Sequence, residues 1–303
     1  MSSLRVRGGI KLSGEITPQG AKNEALQVIC ATLLSESDVT ISNIPDIIDV
    51  NKLIDILKNL GVKISELQKG KYSFNAKSIN LEYLNKGEFL NDAKSLRGSI
   101  MLVGPLLSRF GSASIPRPGG DKIGRRRLDT HFTNLEKLGA KLEYDSKSRT
   151  YSVNSQNSLK GSSILLDEAS VTGTANIIMA AVLADGVTSI YNAACEPYIQ
   201  QLCLLLNNMG AQISGIGSNL LKIEGVDKLD GASHRILPDM IEIGSWIGLA
   251  AMTQSKLRIK NVSWDNLGQI PEVFRKLGIT LNKENDDIII PAHLNGYSVS
   301  SYI

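Results

Sequence analysis

Val39-Thr40-Ile41-Ser42 alternates apolar and polar side chains, the period of a strand with one face buried. A few residues on, Leu53, Ile54, Ile56, Leu57 and Leu60 fall on one face of a helix. Gly61 follows the last of them, where a left-handed cap would end that helix, and Val62-Lys63-Ile64 starts a further strand. The same order, from an apolar helix end through a strand and a second helix to Leu/Met-Gly, returns three more times. LLSRFGSASIPRPGG leads to Gly139, VLADGVTSIYNAACEPYIQQLCLLLNNM to Gly210, and AMTQSKLRIKNVSWDNLGQIPEVFRKL to Gly278. The markers recur roughly every 70 residues, the spacing of a structural repeat rather than of chance.

Each copy reads as a β-α-β unit with an additional helix. Such units bury their helices against one another and turn their sheets toward solvent or toward each other, so they need neighbours. Three copies fall within 22–229 and form one expected domain. The fourth follows the linker-like VDKLDGASHRILPD, and with the first residues it gives a partial second domain, 1–21 and 230–303. One copy alone leaves apolar surface uncovered, and Val299-Ser-Ser-Tyr-Ile303 reads as an unfinished strand, so a C-terminally truncated product is expected.

Length and composition fit two packed units: 303 residues, 42% hydrophobic and 21% charged. A net charge of +3, from 33 basic and 30 acidic residues, is far below that of a dedicated nucleic-acid binder, so any basic patch is local. Cys30, Cys195 and Cys203 are odd in number and set in apolar sequence, as reduced core thiols are. The amino-terminal segment has no signal-like apolar run and no stretch is long enough to span a bilayer. A cytoplasmic location without membrane contact is expected.

Candidate chemistry gathers at a few places. Lys22-Asn23 opens a helix after Gly20, and free N–H groups with an added positive charge suit a phosphate or carboxylate; an exposed lysine at a turn is the bland alternative. Arg97, at the start of an apolar helix, has the same two readings. PRPGGDKIGRRRLDTH, residues 116–131, departs from the short turn expected at this place in the other copies. Its cations can clamp anionic oxygens, and a solvated basic lid is the alternative. It lacks the interleaved aromatics that stack on bases. The segment 170–176 precedes an apolar helix and serves equally well as a cap. His131, His234 and His293 show no metal spacing.

Together, GAKNEAL, LRGSIMLVGPLL, PGGDKIGRRRLDTH, ASVTGTAN, ACEPYI and LPDMIEIGSW, in this order, resemble the enolpyruvyl transferases of the UDP-N-acetylglucosamine 1-carboxyvinyltransferase family. The resemblance runs from Leu4 to about Ile303. It implies an α/β fold, an inside-out α/β barrel of βαβ-type repeats with three repeats per domain, of which four of six are present. It also implies transfer of the enolpyruvyl group of phosphoenolpyruvate to the 3-hydroxyl of UDP-N-acetylglucosamine, with release of phosphate, no metal and no cofactor, at the start of peptidoglycan synthesis.

By motif position the resemblance places Lys22 and Asn23 on phosphoenolpyruvate, and Arg97 and Arg126 at a joint anion site. Arg126, Arg127, Leu128, Asp129 and Thr130, with Glu168, Ala169, Ser170 and Val171, match the contacts to the sugar nucleotide, and Asp239 lies toward the hinge. Asp121 stands where most members have the cysteine that protonates C3 of phosphoenolpyruvate. As an acid it must hold its proton roughly 3 pH units above the ordinary aspartate value, which lid closure and the bound phosphate would favour. A carboxylate is a poor nucleophile toward an epoxide, so insensitivity to fosfomycin is expected. Glu168 replaces a residue that is basic in many members, and Met240 one that is often arginine. The family's catalytic aspartate and last arginines lie beyond Ile303, so weak binding and slow or no turnover are expected unless the full reading frame supplies the remaining repeats. The sister transferase acting on shikimate 3-phosphate, and a non-catalytic or partner-completed fragment, are the other readings.

Overall fold

The computed structural model describes residues 3–119 and 127–299. In chain order β1 (Ser13–Ile16) is followed by the first copy: α1 (Lys22–Ala31), β2 (Val39–Ser42), α2 (Ile48–Asn59), β3 (Lys63–Gln68) and β4 (Lys71–Asn75). After α3 (Gly87–Ser95) comes the second: α4 (Val103–Phe110), β5 (Ser112–Pro116), α5 (Asp129–Lys137), β6 (Lys141–Asp145) and β7 (Thr150–Asn154). After β8 (Ser163–Leu165) comes the third: α6 (Val171–Ala181), β9 (Val187–Tyr191), α7 (Pro197–Asn208), β10 (Gln212–Ser214) and β11 (Leu220–Glu224). After β12 (Ser233–Arg235) comes the fourth: α8 (Met240–Met252), β13 (Lys256–Ile259), α9 (Ile270–Lys276), β14 (Asn282–Glu284) and β15 (Asp287–Ile290).

The four copies share one topology, α-β-α-β-β, so each ends in a hairpin where a single strand was expected. In the first, β2 pairs antiparallel with β4 and β4 with β3; the pairings β5-β7-β6, β9-β11-β10 and β13-β15-β14 repeat this. A parallel strand from outside the copy extends three of the sheets: β12 on β2, β8 on β9 and β1 on β13. The marker glycines Gly61, Gly139, Gly210 and Gly278 take φ of 105°, 97°, 104° and 81°, the left-handed cap read from the sequence. At Gly61 a Cβ would also lie 2.6 Å from the Ser78 carbonyl oxygen, so backbone approach adds to the conformational demand.

The chain divides into two compact units, Lys22–Ile236 and Met1–Ala21 with Leu237–Ile303. Residues 230–236, placed with the second domain on sequence, pack in the first: β12 sets His234 opposite Ile41 of β2. In the larger unit α6 is apolar nearly all round, every residue from Gly173 to Ala181 being buried, and α1 and α4, buried along most of their length, form the centre with it. The amphipathic α2, α5 and α7 each bury one face, and the sheets are half exposed on the outside. This is the inside-out arrangement. In the smaller unit Ile243, Ile247, Ile259, Ile288 and Ile290 form the core, while Met252, at the end of the equally apolar α8, is largely exposed.

A second marker of the repeat lies just past each first strand. Asn43, Asn192 and Asn261 have φ of 60°, 57° and 52°, and the next amide (Ile44, Ala193, Val262) donates to a carbonyl of the hairpin turn. In the second copy Arg117, directly after β5, takes that bond to Arg149 itself. No left-handed residue intervenes, and Pro116 and Pro118, both buried, stand where the long connection before α5 begins. The fourth copy also departs from a short turn: residues 260–269 separate β13 from α9 and include a 3-10 turn, Trp264–Asn266. The long connection is therefore shared by two copies rather than confined to one.

Candidate functional site

Lys22 is the first residue of α1, so its backbone N–H and that of Asn23 are among those no helical carbonyl takes up. Its ammonium lies 3.2 Å from Asp49 Oδ2, in the first turn of α2. Both side chains are about half exposed, so an arriving anion can compete for the lysine.

Arg97 opens the 3-10 turn Arg97–Leu102 that runs into α4. Its guanidinium Nη2 donates to the Arg127 carbonyl oxygen at 3.2 Å and so ties the end of the long connection to the centre of the unit. Arg127 itself is held by two carboxylates: Nε donates to Asp129 Oδ2 at 3.0 Å, and Nη2 reaches both Asp129 and Asp167. The guanidinium holds the Asp129 carboxyl below the usual carboxylate range. Leu128 is buried under this turn, and Thr130 Oγ1 donates to Glu168 Oε1 at 3.1 Å. Glu168 thus acts as an acceptor toward α5 where the resemblance led one to look for a cation.

Ser170 is the amino-terminal cap of α6, its Oγ accepting from the Gly173 N–H at 3.2 Å, and its own N–H donates to the Glu168 carbonyl. Ala169 is exposed and Val171 half-buried. Of the two segments assigned to one ligand, 126–130 and 168–171, the described part of the first is joined directly to the second by Thr130–Glu168, and Arg127 reaches Asp167 just before the second. Beside the first segment opens a cleft of about 220 Å³, lined by Arg127, Asp129, Thr130, Thr133, Asn134, Lys137, Leu165 and Asp167. Thr133, Asn134, Lys137, Leu165 and Asp167 were missed on sequence. Yet Thr130, Thr133, Asn134 and Lys137 follow i, i+3, i+4, i+7 spacing, which marks one polar face of α5.

Also missed was a buried network behind the cleft. Asn176 Oδ1 accepts from the Gly104 N–H at 2.6 Å, and its Nδ2 donates to the Ile100 carbonyl and to His131 Nδ1 at 2.9 and 3.0 Å. With Nδ1 accepting, the imidazole carries its proton on Nε2 and donates to Thr172 Oγ1 at 3.3 Å. Burial, followed by the nearby charge of Arg97, lowers the His131 pKa to about 4, so the ring is neutral near neutral pH.

Asp121 and Arg126 lie outside the described residues. Asp239 belongs to the smaller unit, where it caps α8 by accepting from the Ile241 and Glu242 N–H groups at 2.9 and 3.4 Å, and Met240 is the first residue of that helix. Among the described residues, no helix is long and apolar enough to cross a membrane.

Comparison with known proteins agrees with this frame. The family model described as EPSP synthase (3-phosphoshikimate 1-carboxyvinyltransferase) matches residues 6–301. UDP-N-acetylglucosamine 1-carboxyvinyltransferase of Bacteroides fragilis is 59% identical over 303 residues, all of this chain and 69% of that protein. Its namesake from Porphyromonas gingivalis is 58% identical over 291 residues, 96% of this chain and 67% of the relative. Among solved structures, the enolpyruvyl transferase NikO from Streptomyces tendae superposes with a TM-score of 0.78 at 17% identity, covering 94% of this chain and 66% of that one. EPSP synthase from Acinetobacter baumannii gives 0.71 at 19%, covering 93% and 65%. The chain thus spans about two thirds of the length of these relatives. It belongs to the EPSP synthase family of enolpyruvyl transferases, among its UDP-N-acetylglucosamine 1-carboxyvinyltransferases.

Proposed function

We propose that this chain serves enolpyruvyl transfer from phosphoenolpyruvate to the 3-hydroxyl of UDP-N-acetylglucosamine, the entry step of peptidoglycan synthesis. The observation that carries the reading is 59% identity to such a transferase across all 303 residues. The sugar hydroxyl oxygen bonds to C2 of phosphoenolpyruvate while C3 takes a proton and the hydroxyl proton passes to a base. C3 then gives up a proton, the C2–O bond to phosphate breaks, phosphate leaves with the bonding pair, and the enol ether remains.

Both substrates are anions, and the larger unit presents cations to them. Lys22 with the first N–H groups of α1, beside Asn23, suits the carboxylate and phosphate of phosphoenolpyruvate; Arg97 adds a second charge. The cleft beside Arg127–Thr130 and Glu168–Val171 is small for a whole nucleotide sugar and fits one end of it, with Thr130, Thr133 and Asn134 offering hydrogen bonds. Asp121, with Arg126 beyond the described residues, takes the role of the C3 acid by its place in the motif. The substrates assigned are cytoplasmic metabolites, and the buried, high-pKa thiols of Cys30 and Cys203 suit a reducing compartment.

Calorimetric titration separates this reading from its sister. UDP-N-acetylglucosamine is expected to bind and shikimate 3-phosphate not to; the reverse preference would overturn the assignment.

A further inference from the structure

Glu24 is the third residue of α1 and is 0% exposed. Its Oε1 lies 2.8 Å from His234 Nε2, on an imidazole only 6% exposed that projects from β12. A carboxylate buried this deeply costs several kcal/mol unless it is paired and hydrogen-bonded, and the first turn of a helix offsets only part of that. Packing alone does not ask for such a pair, because apolar residues of similar volume at both positions are often neutral or stabilising. What a buried pair adds is registry: the donor and acceptor meet in one rotation and one axial position of the helix.

The turn so registered is the one that carries Lys22 and Asn23. Lys22 reaches Asp49 on the exposed side of the helix start, while Glu24 anchors the same turn from within. Its anchor is well founded, since β12 is fixed in parallel register on β2 and the Ser42 hydroxyl donates to the His234 carbonyl at 3.2 Å. Glu24 and His234 are beyond reach of a ligand at the helix start, being buried, so they act through the residues they hold.

We propose that the Glu24–His234 pair is a positioning device that sets the first turn of α1, and with it the anion-binding geometry of Lys22 and Asn23. This rests on the reading of those two residues as the phosphoenolpyruvate site. Removing the donor in His234→Leu is expected to speed amide exchange at residues 22–26, with α6 and α7 exchanging as before. Phosphoenolpyruvate affinity should fall about tenfold, as small misplacements at such sites do, while UDP-N-acetylglucosamine affinity stays within about twofold. His234→Gln, whose amide can still donate to the carboxylate, should restore most of the loss. The double variant Glu24→Leu/His234→Leu removes the carboxylate together with its donor, a change that folds tolerate better than loss of one partner; it should show the same selective loss of phosphoenolpyruvate binding.

Unchanged exchange at α1 in the leucine variants, equal loss of both ligands, or failure of glutamine to rescue would each overturn the proposal. Faster exchange at α1 in a protein whose unmodified form binds no phosphoenolpyruvate would support the pair as the device that sets this turn, and would defeat the ligand reading of Lys22 and Asn23 instead.

Discussion

The Asn176 side-chain amide donates to His131 Nδ1 at 3.0 Å inside the larger unit, joining α6 to the helix that follows the long connection. An imidazole that accepts there cannot be protonated without breaking the bond. With a folded-state pKa of about 4 against an ordinary value near 6.5, the unfolded chain binds the proton first as pH falls. The stabilisation is thus complete above about pH 6.5 and is lost as pH drops through about 4, amounting to about 3 kcal/mol in all. Denaturant midpoints measured from pH 7 to pH 4 should fall steeply. His131→Gln, which never charges, should flatten that slope.

Asn176 itself hydrogen-bonds three groups inside the core. Truncating it to alanine would remove the side-chain partners of the Gly104 N–H and His131 Nδ1 in the core, while the Ile100 carbonyl keeps its bond from the Val103 N–H. Each such group left unpaired costs about 1–3 kcal/mol, so Asn176→Ala is expected to cost at least about 2 kcal/mol in urea denaturation. Gly104→Ala tests the same joint from the other side, since its Cβ would run into the backbone and side-chain oxygens of Asn176. A cost below about 1 kcal/mol for both variants would show that this joint is looser than drawn.

Much of the fold is legible in the sequence because its signals are local. The alternation in Val39–Ser42 and the helical stripe over Leu53–Leu60 need no distant partner, and Gly61 punctuates them. What escapes depends on pairing across the chain. Ser233-His234-Arg235 is too short and polar to announce a strand, and it becomes one only against β2, some 192 residues away between Ser42 and His234. The left-handed Asn43, Asn192 and Asn261 look like ordinary turn residues until the repeats are superposed. Asn176 is likewise indistinguishable in a window from a helix-capping asparagine, because its burial is set by α4 and α5 packing on α6. The site divides in the same way: Lys22, Arg97 and Arg127 stand out by charge, whereas the α5 face of the cleft shows itself only when the helix is placed.

Arg127 bridges Asp129 and Asp167 at the mouth of that cleft, on side chains about half exposed. Exposed pairs contribute little to stability, so Arg127→Ala should leave the melting temperature nearly unchanged. Its planar, multidentate contacts also orient the cleft wall, and an alanine there should weaken UDP-N-acetylglucosamine binding about tenfold in calorimetry without altering phosphoenolpyruvate binding. Arg127→Lys should recover little, because an ammonium cannot span both carboxylates in one plane. Equal binding by all three proteins would remove Arg127 from the sugar-nucleotide site.

Asp121 gives the sharpest chemical consequence of the assigned role. Opening the epoxide of fosfomycin by a thiolate leaves a stable thioether, and the thiolate is an intrinsically strong nucleophile even when it forms only a small share of the thiol. A carboxylate lacks that nucleophilicity, and as the proton donor for C3 it would sit in its neutral form, where it attacks still less readily. Incubation with fosfomycin and UDP-N-acetylglucosamine should therefore leave the intact mass unchanged. Asp121→Cys should restore mass addition at that residue, with time-dependent loss of free thiol. An adduct on Asp121 in the unmodified chain would overturn the expected insensitivity, and none on the cysteine variant while UDP-N-acetylglucosamine is bound would show that position 121 does not face the reacting carbon.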